Sequence, residues 1–260
     1  MTKTMAPGKS QPRLYRALLI ALFVVWAFLL FGGFALGPTD ETNSQRIPTW
    51  ARMLSSFTLA IAAWIWPLSA PTAGEKRFSL LLAIGMSLGF GGDMFLADLL
   101  PVSLLLPGMA AFGLGHVAYI YGMVCLAKER GFTRRTHWLG PLVVWLVIGT
   151  LGWLVTAYPS TESAALRWAA LIYTLLIAVM AASATALALQ VSAAIGLALS
   201  AALFFVSDII LAGQLYRGLH FTLINALVWL TYGPGQMLIV YGGNIAARRS
   251  GKDPDCDMMG

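Results

Sequence analysis

Long apolar runs separated by short polar punctuation cover almost the whole chain. At about 20 apolar residues per bilayer crossing, the pattern predicts eight spans, at roughly 14–37, 50–70, 78–98, 104–127, 138–157, 165–188, 191–213 and 221–245. The connections are short and rich in Pro and Gly, as at Gly37-Pro38, Pro71, Pro101, Pro107-Gly108 and Pro159, so consecutive helices should be antiparallel neighbours. The first run follows Lys3, Lys9, Arg13 and Arg16 as a secretory signal would. It is too long for the apolar part of such a signal and is expected to remain as the first helix. The fold class is therefore all-α, a polytopic membrane protein of eight transmembrane helices. Residues 1–13 form an N-terminal tail, 14–245 the membrane domain and 246–260 a disordered tail, where Asp253, Asp255 and Asp257 stand beside Gly and Pro.

Two of the spans contain a carboxylate. The third carries Asp93 within GGDMFLA, 91–97, and the seventh carries Asp208 within SDIILA, 207–212. Both motifs read small residue, Asp, two apolar residues, Leu, Ala. A second pair matches in the same way. Gly113-Leu-Gly115-His116 with Tyr121 lies in the fourth span, and Gly233-Pro-Gly235-Gln236 with Tyr241 in the eighth. The aspartates are offset by 115 residues and His116 from Gln236 by 120. Spans three and four thus look like a diverged copy of spans seven and eight, which predicts two four-helix halves. With an even number of spans each, the halves would be parallel repeats about an axis along the membrane normal.

Composition agrees with the pattern and changes one inference. The 260 residues are 58% hydrophobic and 11% charged, too apolar for a soluble domain. The net charge of +6 does not point to nucleic acid, because the basic residues lie in tails and short loops and form no phosphate-binding groove. Lys3, Lys9, Arg13, Arg16, Lys76, Arg77, Lys128, Arg130, Arg134, Arg135, Arg248, Arg249 and Lys252 fall on one side, against Arg46, Arg52, Arg167 and Arg217 on the other. The positive-inside rule therefore puts both termini in the cytoplasm of a cell whose inner membrane the protein crosses. Cys125 and Cys256 offer neither metal spacing nor an evident disulfide.

A carboxylate inside a membrane is costly and marks a functional site by default. In this topology Asp93 and Asp208 lie at similar depth, roughly 20 to 25 Å from the basic side at 1.5 Å per residue. They could share one pocket. Two carboxyls in a poorly hydrated site tend to divide into an acid and a base, which suits general acid–base hydrolysis; the alternative is that each bonds a neighbouring helix. His116 is the one His inside a span, with Tyr119 on its face at i+3. It could orient an aspartate, hold a substrate phosphate or be structural. Nothing resembles HExxH, and no metal and no cofactor is expected. Tyr232 and Gln236, four apart, share a face of the eighth span with Asn225 nearby and Pro234 between them. Ser207 precedes Asp208, but no GxSxG elbow, Walker motif or dinucleotide fingerprint is present. Trp50, Trp64, Trp66, Trp138, Trp153, Trp168 and Trp229 fall mostly near span ends and are expected as interfacial anchors.

GDMFLAD at 92–98, FGLGHVAY at 112–119, LSAALFFVSDIILA at 199–212 and YGPGQMLI at 232–239, in this order, resemble the YhhN-like family of integral membrane lysoplasmalogenases, with similarity across roughly 50–245. The family usually has a Lys-Pro pair entering its second helix, where this chain has Arg52-Met53. The resemblance implies an eight-helix hydrolase that cleaves the vinyl-ether bond of lysoplasmalogens to a fatty aldehyde and glycerophosphoethanolamine or glycerophosphocholine. Asp93 and Asp208 would be its catalytic pair. His116, Tyr119, Ser207, Tyr232 and Gln236 would contact substrate, with His116 and Gln236 flanking the aspartates from opposite halves. Its partners would be a lysophospholipid drawn from the bilayer and the membrane itself, without nucleic acid. A proton-coupled carrier, or a hydrolase of another lipid bond, would use the same intramembrane groups. The chain carries no signal for oligomeric state.

Overall fold

The computed structural model describes residues 11–97, 99, 105–132 and 134–249. The C-terminal tail expected to be disordered lies outside them from residue 250 onward, as does Asp98. The described residues form eight long helical runs and no strand. We number these α1 (11–36), α2 (Thr49–Ser69), α3 (Ala73–Leu96), α4 (Leu105–Glu129), α5 (Arg135–Val155), α6 (Ala164–Ala188), α7 (Ser192–Arg217) and α8 (224–249). The first seven contain segments long and apolar enough to cross a bilayer. The eighth is helical throughout but passes through a π turn at Leu238–Gly242. That turn follows Pro234, whose missing N–H and bulky ring loosen the regular ladder.

Three helices run past their expected ends by four residues or more. α3 starts at Ala73, because the Thr72 side chain accepts the Glu75 N–H at 3.2 Å and caps the first turn. α7 continues through Gly213 to Arg217 and stops at Gly218, whose φ of 62° is left-handed. There the Gly218 and Leu219 N–H groups return to the Gln214 and Gly213 carbonyls, a left-handed stop that glycine permits at least cost. α8 runs on to Arg249, with Ala246 and Ala247 buried.

The packing reproduces the repeat. α2, α3, α4, α6, α7 and α8 form a closed ring in that order, with α1 packed outside against α2 and α5 outside against α6. Raising every helix number by four carries each neighbour pair onto another: α1·α2 onto α5·α6, α2·α3 onto α6·α7, α3·α4 onto α7·α8, and α4·α6 onto α8·α2. This is the two-fold arrangement of parallel four-helix halves. The outer helices present apolar side chains outward, among them Leu14, Ile20, Val24 and Phe28 on α1 and Leu139, Val143, Val147 and Leu151 on α5, as helices facing lipid do.

Within the ring the closest approach is between α3 and α4. A Cβ on Gly115 would stand 2.9 Å from the Gly85 carbonyl oxygen, and one on Gly85 would meet the Tyr119 ring at 2.3 Å. Small residues let these backbones touch, which is how helices associate where lipid is as apolar as leucine. The connection 37–48 folds back over the start of α8. Asp40 organises it by accepting the Ser44 and Gln45 N–H groups at 2.7 and 3.0 Å and the Thr42 and Ser44 hydroxyls at 2.9 and 2.8 Å. The loop carbonyls of Asn43 and Ser44 then receive the Leu223 and Asn225 N–H groups at 2.7 and 2.9 Å.

Candidate functional site

At the end of the ring opposite the basic connections lies a cavity of about 310 Å³, within the range of small-molecule sites. Its walls come from α2, α3, α4, α6, α7 and α8, so all six ring helices contribute. Asp93 and Asp208 both line it. The repeat explains why: equivalent positions of two parallel halves face each other across the axis. Leu96 and Leu215, also on the lining, are 38% and 43% exposed, so the cavity has an apolar rim open to its surroundings. Phe112, Ile177 and Phe205 form apolar walls deeper in.

Each aspartate is held by a hydroxyl from the preceding ring helix. Asp93, 4% exposed, accepts the Ser56 hydroxyl of α2 on Oδ2. Gln236 of α8 stands behind this pair, its Nε2 donating to Ser56 Oγ at 2.8 Å and to Tyr232 Oη at 2.6 Å, with Asp93 Oδ2 at 3.4 Å. Asp208 is more open and accepts the Tyr173 hydroxyl of α6 at 3.3 Å. Ser56 and Tyr173 are 117 residues apart, between the two offsets of the repeat. The two halves thus supply the same kind of support, α2 to α3 and α6 to α7. An amide and a hydroxyl backing Asp93 and a single phenol backing Asp208 make the two carboxyls chemically unequal.

Of the residues singled out by sequence, Asp93, Asp208, Ser207 and Tyr232 line the cavity, and Gln236 reaches it through Asp93. Ser207 Oγ donates to its own helix at the Phe204 carbonyl, 2.8 Å away. His116 and Tyr119 are not on the lining. His116, 2% exposed, has ring contacts with Tyr119, Tyr173 and Phe204 at centroid distances of 6.1, 5.9 and 5.6 Å, and neither ring nitrogen has a partner. It therefore stands behind Tyr173 and bonds neither aspartate. Tyr119 fills the space beside Gly85.

Three residues of the site, Ser56 behind Asp93 and Tyr173 and Arg52 on the lining, lacked a functional assignment from sequence. Ser56 and Tyr173 are ordinary hydroxyls in apolar helices, and only the offset applied to the second and sixth spans would have paired them. Arg52 was counted as a topology marker, yet its side chain lines the cavity. The tryptophans divide. Trp50, Trp64 and Trp168 are exposed as interfacial anchors should be, whereas Trp66, Trp153 and Trp229 are buried at 6%, 7% and 9%. Trp229 and Trp66 lie under the guanidinium groups of Arg52 and Arg248, so they are packing surfaces for cations.

No three His, Cys, Asp or Glu side chains converge on a metal-sized point among the described residues. Comparison with curated proteins and with solved structures returns no match. A family model, that of the YhhN family, matches residues 48–243. This span takes in α2 to α7 and α8 as far as residue 243, with both aspartates and every residue that supports them, and leaves out 1–47 and 244–260. On that match, over well more than half its length, the chain belongs to the YhhN family.

Proposed function

We propose that this protein is a membrane hydrolase that cleaves the vinyl-ether bond of lysoplasmalogens. The observation that carries the reading is the convergence of Asp93 and Asp208 from two halves of the ring on one cavity with an apolar, open rim. Vinyl-ether hydrolysis needs a proton on the carbon β to the ether oxygen, stabilisation of the resulting oxocarbenium ion, and water to trap it. One carboxyl in its acid form delivers the proton, and the other, as carboxylate, stabilises the cation and takes a proton from the attacking water. The hemiacetal so formed collapses to fatty aldehyde and the glycerol hydroxyl of the glycerophospho-base. Water is consumed, and the catalytic protons return to the pair.

Ser56, Gln236 and Tyr232 hold Asp93, and Tyr173 holds Asp208, so that neither carboxyl rotates away from the reacting atoms. Substrate enters sideways through the rim at Leu96 and Leu215 and keeps its chain in lipid. With the basic connections facing the cytoplasm, the cavity opens toward the opposite leaflet of the cell membrane.

The test is release of fatty aldehyde from lysoplasmenylethanolamine by the purified protein in detergent, beside Asp93→Asn and Asp208→Asn. Wild type is expected to release aldehyde, and each variant to lose about 100- to 10,000-fold in kcat while eluting and melting as wild type does. A folded wild type that releases none, or that cleaves only ester- or amide-linked lysolipids, would refute the reading. So would solute movement in sealed vesicles that needs no turnover.

A further inference from the structure

Arg52 is the one cation on the cavity lining among the described residues. Its Nη2 donates to Thr49 Oγ1 at 2.8 Å, and its Cζ lies 5.4 Å from the centroid of the Trp229 ring. Its Nε is buried without a partner. Although Asp93 and Asp208 share the cavity, the ion pair found among the described residues is Arg130–Glu75, and none of their carboxylates stands within 4.0 Å of the Arg52 guanidinium. A guanidinium carries five donors in a fixed fork. Leaving the buried Nε unmatched is costly unless an anion arrives.

Resting on the hydrolase reading above, we infer that Arg52 is the headgroup site: it binds the phosphate diester of a lysophospholipid through its free guanidinium edge, with Trp229 holding the plane. The planar fork matches two phosphate oxygens at once. The aromatic face beneath it fixes the orientation and adds a cation–π contact.

The register of α2 agrees with this placement. Arg52 and Ser56 are one turn apart on the same face, separated by about 6 Å along the axis, and Ser56 bonds Asp93. In a lysolipid the three glycerol carbons lie between the phosphate ester oxygen and the ether oxygen, a reach comparable to that turn. Phosphate on Arg52 therefore presents the ether linkage at the depth of Asp93. The polar head lies toward the helix ends and the chain toward the bilayer centre, as a lysolipid sits in its leaflet. The cavity is too small for the whole lipid, so the head and the first chain carbons enter while the rest stays at the rim. Arg52 makes phosphate a condition of tight binding, which a lipid alcohol with the same ether bond does not meet.

The experiment measures calorimetric binding to the full-length protein in detergent. The probes are 1-alkyl-glycerophosphoethanolamine, which lacks the vinyl bond, then 1-alkylglycerol, which lacks the phosphate, and soluble glycerophosphoethanolamine, which lacks the chain. Wild type is expected to bind the first about 10- to 100-fold more tightly than the second and the third far more weakly than the first. Arg52→Gln should abolish the preference, and Arg52→Lys should keep part of it, since charge remains but the fork is lost. Equal binding of the two chain-bearing probes by wild type would overturn the inference without any variant, as would a preference unchanged in Arg52→Gln. Tight binding of the soluble head would overturn it in favour of a free phosphate ester. None of the probes can be cleaved at a vinyl ether. Arg52-dependent binding without aldehyde release therefore defeats the hydrolase reading alone, and aldehyde release without Arg52 dependence defeats this one alone.

Discussion

Tyr173 was not a sequence candidate, yet it is the side chain that steadies Asp208. Its hydroxyl donates to the carboxylate at 3.3 Å, and its ring packs against His116 at 5.9 Å. Tyr173→Phe removes the first contact and keeps the second. The expected result is aldehyde release lowered about 10-fold by loss of one hydrogen bond to a charged acceptor, with a melting temperature near that of wild type. A large fall in melting temperature would show that the phenol serves the fold and not the carboxylate. Arg52 belongs to the same scale: as the proposed headgroup site, this single cation would separate binding a lipid head from binding any amphiphile.

Among elements, the α3–α4 contact is the tightest. Gly115→Val puts two methyl groups where a Cβ alone already meets the Gly85 carbonyl at 2.9 Å. Because that atom is backbone, the helices must separate. Phe112 on α4 and Asp93 on α3 both line the cavity, so the change should cost about 1 to 3 kcal/mol in stability by overpacking and should lower activity as well. Thermal unfolding in detergent and the aldehyde assay report the two effects. The 37–48 connection offers a pH test. The N–H groups and hydroxyls that surround Asp40, the Gln45 N–H first among them, pull its carboxyl from 3.8 down to about 2. A carboxyl depressed on folding stabilises above its ordinary value and loses that contribution as pH falls through its folded one. The loop should therefore resist proteolysis in wild type down to about pH 4 and open between about pH 4 and 2, whereas in Asp40→Ala it should be cut readily at neutral pH. Equal cleavage of both proteins at neutral pH would remove Asp40 as the organiser of the loop.

At the scale of the whole molecule, the two-fold ring makes topology and site one question, because the cavity lies at the end away from the basic connections. In a background with Cys125 and Cys256 replaced by Ser, Glu162→Cys in the 156–163 connection should react with an impermeant thiol reagent on intact cells. Lys76→Cys, near the start of α3, should react only after the membrane is opened. The reverse pattern would put the cavity in the cytoplasmic leaflet and change where substrate is drawn from.

Hydrophobic runs of bilayer length, two aspartates inside them and a repeat offset near 115 to 120 determined the helix count, the all-α class, the two-halved plan and the pairing of Asp93 with Asp208. These are properties of spacing, and spacing survives in a string. The tertiary structure alone decided which hydroxyl meets which carboxylate, because nothing in the string distinguishes Ser56 or Tyr173 from hydroxyls that bond their own helix, as Ser55, next to Ser56, and Ser207 do. It also decided the fate of His116. Its repeat partner Gln236 reaches Asp93, but the rings of Tyr173 and Phe204 separate His116 from the cavity. A helical repeat sets the angle and depth of each residue to within a turn, whereas a hydrogen bond needs placement within a few tenths of an ångström, and only packing supplies that.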